Sequence, residues 1–163
     1  EHKGLYWSKV KGTEEARTIE PDADYVIPIG KARIVQSSSN ANSVTIVTYG
    51  MGVYWAKAAA KGMEDQVEII DLRSLNPIDY PTIKSSVEKN GKCLLVTEEP
   101  TENGFMQAIG GWIAEHCFHK LDAPVKTVGS ICTPAIPLNS TLEQAYLPNA
   151  DKVKEAITSL LNF

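Results

Sequence analysis

The sequence predicts an α/β domain in which helices cover both faces of a mostly parallel sheet. Three observations predict this fold class: short β-branched runs alternate with amphipathic or alanine-rich stretches, the runs are almost continuously apolar, and glycine, proline and asparagine separate them. Strands separated by helices pair in parallel through right-handed crossovers, and a strand buried on both faces is apolar throughout. We therefore expect a three-layer sandwich with about five strands.

The first 28 residues differ from the rest of the chain. They are mostly polar and rich in turn-forming residues, and Leu5-Tyr6-Trp7 is their apolar cluster. We interpret residues 1–28 as a linker or entry segment that lies on another surface, and residues 29–163 as the folded domain. A disordered tail is the alternative, which the aromatic residues disfavour. A chain that starts at Glu1, without Met, is interpreted as a piece of a longer protein.

Strands and helices are predicted to alternate from Gly30 onward. The predicted strands cover 32–35, 44–49, 67–72, 94–96 and 124–128. The predicted helices cover about 50–63, 79–90, 104–117 and 151–161. Asp79 is expected to cap the second helix, and Pro81 is tolerated in its first turn. In the third helix, Phe105, Ile109 and Ile113 recur every four residues and so form one apolar stripe.

Composition excludes several classes of function. The formal net charge of -4 argues against attraction to nucleic acid or to an anionic membrane. No apolar stretch approaches the roughly 20 residues needed to span a bilayer, and no signal peptide is visible. Three widely spaced cysteines do not suggest a disulfide framework, and Cys93 within an apolar run is expected to be buried. A reducing, cytoplasmic location is therefore expected.

Gly50 and Gly52 follow a predicted strand and open a predicted helix, and Asp71 ends the next strand. This order resembles a dinucleotide-binding fingerprint, in which glycines let a pyrophosphate approach the helix N-terminus. The third glycine of that fingerprint is replaced by Trp55. A stand-alone nucleotide-binding module using Gly50, Gly52 and Asp71 is therefore the alternative hypothesis, and a tight strand-to-helix turn is the favoured interpretation.

Two further clusters carry polar side chains. His116 and His119 could hold a metal ion from one helix face, but a solvated helix end is favoured because no further ligand lies nearby in sequence. Glu98 and Glu99 end a predicted strand, where paired carboxylates can perform acid–base chemistry, but an acidic loop that contacts a partner is favoured. No nucleophile, phosphate loop or metal-ligand set is recognised, so no catalytic, cofactor-binding or metal-binding residue is predicted.

Several segments, in order, resemble one family: the C-terminal domain in beta subunits of thiamine diphosphate-dependent 2-oxo acid dehydrogenases. The Glu-His-Lys start, the Asp-Leu-Arg sequence and Leu121-Asp122-Ala123-Pro124 are the most specific matches. The matching segments are 1–6, 27–32, 44–50, 68–79, 121–125 and 146–148. The resemblance therefore extends over nearly the whole chain.

The resemblance implies a transketolase C-terminal-like domain whose five strands include one antiparallel strand. It also implies that thiamine diphosphate and magnesium are held by other domains of the parent enzyme, so that none is expected on this chain. The parent reaction would be oxidative decarboxylation of a 2-oxo acid with transfer of the acyl group to a lipoyl arm. This chain would then be an assembly domain without chemistry of its own.

The implied partners are the other domains of the parent enzyme, a second beta-type copy, and the subunit-binding domain of the acyltransferase core. Asp122 and the terminal carboxylate of Phe163 are the residues expected to meet basic groups of that core. Neither nucleic acid nor a membrane is an expected partner. Glu115-His116-Cys117-Phe118, just before the Leu-Asp-Ala-Pro segment, resembles branched-chain (2-oxoisovalerate) enzymes more than pyruvate enzymes.

Some positions depart from the family pattern. Trp7, Tyr54 and Cys132 replace residues that are usually Arg, His and Asp, and Glu98-Glu99-Pro100 replaces His-Glu-Ala-Pro. They suggest a divergent branch. A C-terminal domain of transketolase or of deoxyxylulose phosphate synthase is a further alternative, against which the Glu-His-Lys and Leu-Asp-Ala-Pro segments argue.

Overall fold

The structure is a computed structural model that describes residues 2–7 and 10–163. Glu1, Ser8 and Lys9 lie outside the described residues. The expectations that rest on Glu1, both as the start of the family motif and as a junction, therefore remain predictions. So does the division into an entry segment 1–28 and a domain 29–163.

The described residues form the expected five-stranded sheet. Its strands are β1 (Arg33–Gln36), β2 (Val44–Thr48), β3 (Val67–Asp71), β4 (Cys93–Pro100) and β5 (Lys126–Ser130). The strands lie in the order β1-β3-β2-β4-β5, and only β1 is antiparallel to its neighbour. The three-layer α/β fold, including its antiparallel strand, is confirmed.

Six α-helices surround the sheet in the described part of the chain. They are α1 (Lys3–Tyr6), α2 (Met51–Ala59), α3 (Tyr80–Asn90), α4 (Phe105–Cys117), α5 (Ser140–Tyr146) and α6 (Ala150–Leu161). None of the described helices is long and apolar enough to cross a membrane.

Each face of the sheet has its own apolar core. Helices α2 and α6 cover one face, where Ala56 and Ile157 pack against Ile46 and Leu94. Helices α3 and α4 cover the opposite face, where Val87 and Ile109 belong to the same buried cluster as Val47, Ile70 and Leu95. Neighbouring residues of β2 and β4 face opposite cores because strand side chains alternate, so both strands are apolar throughout.

Local capping explains where α3 begins and ends. Asp79 Oδ1 accepts a hydrogen bond from the Thr82 amide at 3.3 Å, as predicted from the sequence. Gly91 follows the helix with φ 70°, a left-handed conformation that glycine adopts without steric cost. The predicted cap and the predicted end of this helix are both confirmed.

Other boundaries differ from prediction for physical reasons. Helix α2 ends at Ala59 instead of near Met63 because Gly62 has φ 86°, outside the helical region. Strand β5 begins two residues after Pro124, a residue that has no amide hydrogen to donate. Helices α1 and α5 were not predicted. Helix α5 follows the proline-rich crossing, and Asn139 caps it by accepting from the amides of Thr141 and Leu142.

A polar network is buried between β3 and α3. Glu68 is 3% exposed and accepts hydrogen bonds from Ser86 Oγ and from Lys89 Nζ. Ser86 Oγ lies 2.8 Å from Thr45 Oγ1, which also accepts a hydrogen bond from Asn90 Nδ2 at 2.9 Å. Each buried polar group therefore has a partner, which offsets the cost of removing it from water.

Candidate functional site

The two residues predicted to bind a partner, Asp122 and Phe163, line the same surface groove. The groove has a volume of about 600 Å³ and is mainly apolar. Helix α4 forms one side, and the segment from Leu121 to Val125 forms another. Two residues that are far apart in sequence are thus brought together, while their role in binding a partner remains a prediction.

Small residues on α4 shape this groove. Gly111 has no heavy atom within 4 Å of the position that a β-carbon would occupy, so the helix surface is open there. Gly110 and Ala114 continue the same surface. The rings of Phe118 and Phe163, which are 77% and 72% exposed, stand at the groove without being buried by it. Exposed aromatic rings beside a smooth helix surface are typical of protein interfaces.

Asp122 is positioned by the end of helix α3. Its amide donates a hydrogen bond of 2.7 Å to the carbonyl oxygen of Gly91. A β-carbon on Gly91 would lie 2.1 Å from Asp122 Oδ2, so this contact requires glycine. The backbone of Asp122 is therefore fixed by this hydrogen bond, while the residue as a whole stays exposed.

The carboxyl edge of the sheet carries the second cluster, the paired carboxylates Glu98 and Glu99. Glu99 Oε1 accepts a hydrogen bond of 2.7 Å from the Met106 amide and thereby caps the first turn of α4. Glu98 pairs with Nε2 of His2, which comes from the entry segment. Both carboxylates thus have partners within the chain, and these partners come from different elements.

Burial changes the acidity of two groups at this edge. Burial raises the pKa of Asp71, against the opposing effect of the hydrogen bond from the Arg73 amide. Burial also raises the pKa of Tyr49, and the carboxylates of Glu99 and Glu98 act in the same direction. The hydroxyl of Tyr49 lies 3.2 Å from Thr97 Oγ1. Tyr49 and Asp71 line a cavity of about 350 Å³, which His2 also lines.

The geometry of Gly50 and Gly52 explains the glycine pair without a nucleotide. A β-carbon on Gly52 would lie 2.0 Å from Thr48 Oγ1 and 3.2 Å from the Val96 carbonyl oxygen, so α2 begins in direct contact with β2 and β4. Gly50 has φ 57° and faces the ring of His2. Both glycines are thus required by the fold, and the nucleotide-binding alternative is not favoured.

The histidines near the end of α4 contact different neighbours. The ring of His116 stacks on Trp112 at a centroid distance of 4.3 Å, and Trp112 stacks in turn on Tyr80. His119 Nε2 lies 3.8 Å from Glu88 Oε1. Among residues 2–7 and 10–163, no group of three or more His, Cys, Asp or Glu side chains is placed to hold a metal ion.

The burial of one cysteine was predicted from the sequence. Cys93 is fully buried, as predicted, and burial raises the pKa of its thiol. Cys117 is also buried and Cys132 is exposed, and all three thiols are free.

The contact of His2 with Glu98 at this edge was not predicted from the sequence. His2 lies 96 positions from Glu98 in sequence, and no local pattern signals a pair so distant. The Glu-His-Lys motif contained the residue, but the motif indicated a family and gave no contact.

Comparison with known proteins identifies the fold family. The model of the family described as "Transketolase, C-terminal domain" matches residues 30–153. The 2-oxoisovalerate dehydrogenase subunit beta of Bacillus subtilis is 37% identical over 100% of this chain and 48% of its own length. The same subunit of Pseudomonas aeruginosa is 37% identical over 95% of this chain and 41% of its own length.

Relatives of the pyruvate type are also similar. The pyruvate dehydrogenase E1 component subunit beta of Rhizobium meliloti is 37% identical over 84% of this chain and 30% of its own length. The chain therefore spans at most about half the length of these curated relatives.

A solved structure shows the same fold. The beta chain of a split-gene transketolase, described as an inactive beta4 tetramer, superposes with a TM-score of 0.69 at 22% identity. The match covers 86% of this chain and 45% of that one. From its sheet order, its two covered faces and the match over residues 30–153, the chain belongs to the family of transketolase C-terminal domains.

Proposed function

We propose that this chain is the C-terminal assembly domain of a beta-type subunit in a thiamine diphosphate-dependent 2-oxo acid dehydrogenase. The observation that supports this most is the 37% identity to a 2-oxoisovalerate dehydrogenase beta subunit along the entire chain. Two of the relatives compared above share the 2-oxoisovalerate name, which favours the branched-chain type over the pyruvate type. The parent would decarboxylate a 2-oxo acid and pass its acyl group to lipoyl arms.

The described residues offer no fit to thiamine diphosphate and magnesium. Mg²⁺ takes carboxylate and other oxygen ligands, and the described residues place no group of three or more His, Cys, Asp or Glu side chains where they could hold a metal ion. The start of α2, where a phosphate would approach a helix, is faced by the ring of His2. We therefore assign no chemical step to this chain, and both cofactors belong in the proposal to other domains of the parent.

The groove around Asp122 and Phe163 is the proposed docking site for the subunit-binding domain of the acyltransferase core. Its apolar surface, which includes Phe163, supplies contact area, and Asp122 supplies negative charge for a basic partner. Such charges mainly steer and orient the partner. A second beta-type copy is the other proposed partner, and a reducing cytoplasm is the proposed location.

Variants of Asp122 test the docking proposal in the complete enzyme. We expect Asp122→Arg to weaken binding of the isolated subunit-binding domain by roughly tenfold or more at low salt, because a positive charge that repels the basic partner replaces a negative charge that attracts it. The difference should shrink as salt screens the charges. Asp122→Asn keeps the side-chain shape over Gly91 and should lose affinity less. Isothermal titration at several salt concentrations measures the affinity of the original protein and of both variants for the subunit-binding domain.

Asp151→Arg provides the matched control, since Asp151 is an exposed carboxylate on α6, outside the groove lining. It should leave binding within about twofold of the original protein. Equal affinities and equal salt dependence for Asp122→Arg and Asp151→Arg would reject the groove as the docking site.

The function of the whole protein is tested separately. The complete enzyme should turn over 2-oxoisovalerate with a higher kcat/KM than pyruvate, in an assay that follows transfer to lipoyl groups. The present chain alone should bind neither thiamine diphosphate nor NAD in a titration. Tight binding of NAD by this chain would contradict the assembly-domain proposal and favour the nucleotide-binding alternative.

A further inference from the structure

The sheet has a crevice of the kind in which α/β folds commonly bind ligands. Strand β2 lies between β3 and β4, so the chain leaves β2 toward one side and later returns to the other. Ligands of open parallel sheets bind beyond the carboxyl ends of the strands at this switch in direction. Here the crevice lies between Gly50, after β2, and Glu98, in the last part of β4.

The imidazole of His2 fills that crevice. Its Nε2 pairs with the carboxylate of Glu98 on one side. On the other side, its Cδ2 lies 3.1 Å and its Cγ 3.8 Å from the position that a β-carbon on Gly50 would occupy. A larger residue at position 50 would therefore push the ring away, apart from the strain of φ 57°. Glu98 and Gly50 together form a slot that fits a flat ring.

The hydrogen bonds of His2 define which nitrogen carries the proton. Nδ1 accepts from the Leu5 amide at 3.2 Å and caps helix α1, so this nitrogen has no hydrogen. The remaining N–H is then on Nε2, where it donates to Glu98. The partner of one ring nitrogen fixes the state of the other. Glu98 thus supplies the acceptor of the slot for the ring N–H, and the Leu5 amide of the entry segment supplies the donor to the other ring nitrogen.

His2 also separates two cavities. It lines the cavity of about 350 Å³ that holds Tyr49, Asp71 and Arg73, and a second one of about 510 Å³ that holds Glu15 and Tyr54. The Arg73 guanidinium donates to the carbonyl oxygen of Lys31, at 2.9 Å from Nη2.

We propose that the Glu98–Gly50 slot is a binding site for an imidazole-type group and that the entry segment of this chain occupies it with His2. The segment is thereby fastened to the sheet by a side chain that can be withdrawn, and the slot is closed to other ligands while it is in place. This assignment concerns residues of this chain and does not depend on the identity of the parent enzyme.

Hydrogen exchange followed by mass spectrometry tests the fastening in the complete protein. In His2→Ala, we expect the amides of residues 3–7 to exchange roughly tenfold faster, because both hydrogen bonds of the ring are lost. Glu98→Gln keeps the fold and the helix cap and should show a smaller increase. Lys3→Ala changes an exposed neighbour and should leave exchange unaltered. Unchanged exchange of residues 44–48 confirms in each variant that the sheet is intact.

Chemical rescue tests the binding site. Millimolar imidazole should bind saturably to His2→Ala and slow the exchange of residues 49–54 toward the original rate. 1-Methylimidazole has no N–H and should fail, as should imidazole added to the double variant with Glu98→Ala, which has no side-chain acceptor for the N–H. The original protein should not respond, since its slot is filled. A His2→Ala protein that loosens but takes up no imidazole, or equal effects of the two probes, would overturn the proposal.

Discussion

Glu68 shows how a single charge is accommodated inside the protein. Only Lys89 among its hydrogen-bond partners is charged, and that side chain reaches it from the partly exposed end of α3. Removing one member of a buried pair leaves the other charge without compensation. At the scale of the residue, the stability of the β3–α3 contact therefore depends on a lysine whose own side chain is half exposed.

We expect Lys89→Met to lower the free energy of unfolding by about 1–3 kcal/mol, since a charged hydrogen bond to a buried group is lost. Lys84→Met provides the control, because Lys84 pairs with Glu88 at 3.8 Å on the helix surface and should cost at most about 0.5 kcal/mol. Urea denaturation of both variants measures the difference. Equal losses would show that Glu68 gains nothing specific from Lys89.

Asp79 predicts a pH dependence with a definite sign. Burial raises its pKa, but hydrogen bonds from the amides of Ala32 and Thr82 and from the Thr82 hydroxyl outweigh burial and hold the pKa below its ordinary value. A carboxyl with a lowered pKa adds stability above the pKa of the unfolded chain, about 3.9, and that stability is lost as the pH falls through the folded value.

Asp79→Asn should therefore be less stable than the original protein at pH 7, and the two stability curves should converge as the pH falls below about 4. Urea denaturation at a series of pH values provides the measurement. Asp24→Asn, at an exposed position of the entry segment, should follow the original curve throughout. A constant gap between Asp79→Asn and the original protein down to low pH would contradict the role of the charge.

At the scale of the element, alanine substitutions at Gly52 in α2 and at Gly111 in α4 are expected to have opposite effects on stability. Gly52→Ala should destabilise the protein by roughly 2 kcal/mol or more, because the new methyl group would overlap Thr48 Oγ1 at a fully buried position. Gly111→Ala should stabilise it by up to about 1 kcal/mol, since open space surrounds that position within a helix. Thermal unfolding of the two variants compares them directly, and destabilisation by both would mean that α4 is packed more tightly than described.

The elements also show what the sequence could and could not provide. Asp79 followed by proline and an apolar stripe predicted α3 correctly because capping and periodicity are local. Helix α1 has four residues and a histidine cap, which is too short for periodicity and outside the usual capping residues. Helix α5 had a usable signal, Asn139 before Ser140 and Thr141, which the neighbouring prolines obscured. That one of the five strands is antiparallel followed only from the family resemblance, since strand patterns do not encode direction, and the structure shows that this strand is β1.

The same distinction holds for the candidate sites. Asp122 and Phe163 were proposed from the resemblance, and the fold places them on one groove, although their function is untested. The contact between His2 and Glu98 required the folded chain, because it depends on where the fold places His2 relative to Gly50 and Glu98.

At the scale of the whole molecule, the segment between β5 and α5 and the start of α5 carry several exposed apolar side chains. Leu138 is fully exposed, and Ile131, Ile136 and Leu142 are each more than half exposed. An apolar surface of this kind marks a contact with another protein surface. Within the proposed function, this segment is a contact with other domains or with a second beta-type copy.

We expect Leu138→Asp to leave the free energy of unfolding of this chain within about 0.5 kcal/mol, because the side chain has no packing to lose. The same change should weaken subunit assembly of the complete enzyme, measured by light scattering after size exclusion. Lys61→Asp, another exposed position, controls for the added charge and should assemble normally. Normal assembly of Leu138→Asp would exclude this residue from the subunit contacts.

The separation of the core into two faces has a consequence for synthesis on the ribosome. The α3–α4 face is built from residues that precede β5, so it can close early. The opposite face waits for α6, whose Val153, Ile157 and Leu160 cover Val44, Ile46 and other strand residues that emerged about a hundred positions earlier. A nascent chain that has completed all five strands therefore still has one apolar face that only α2 covers, and this face is completed when α6 packs onto it.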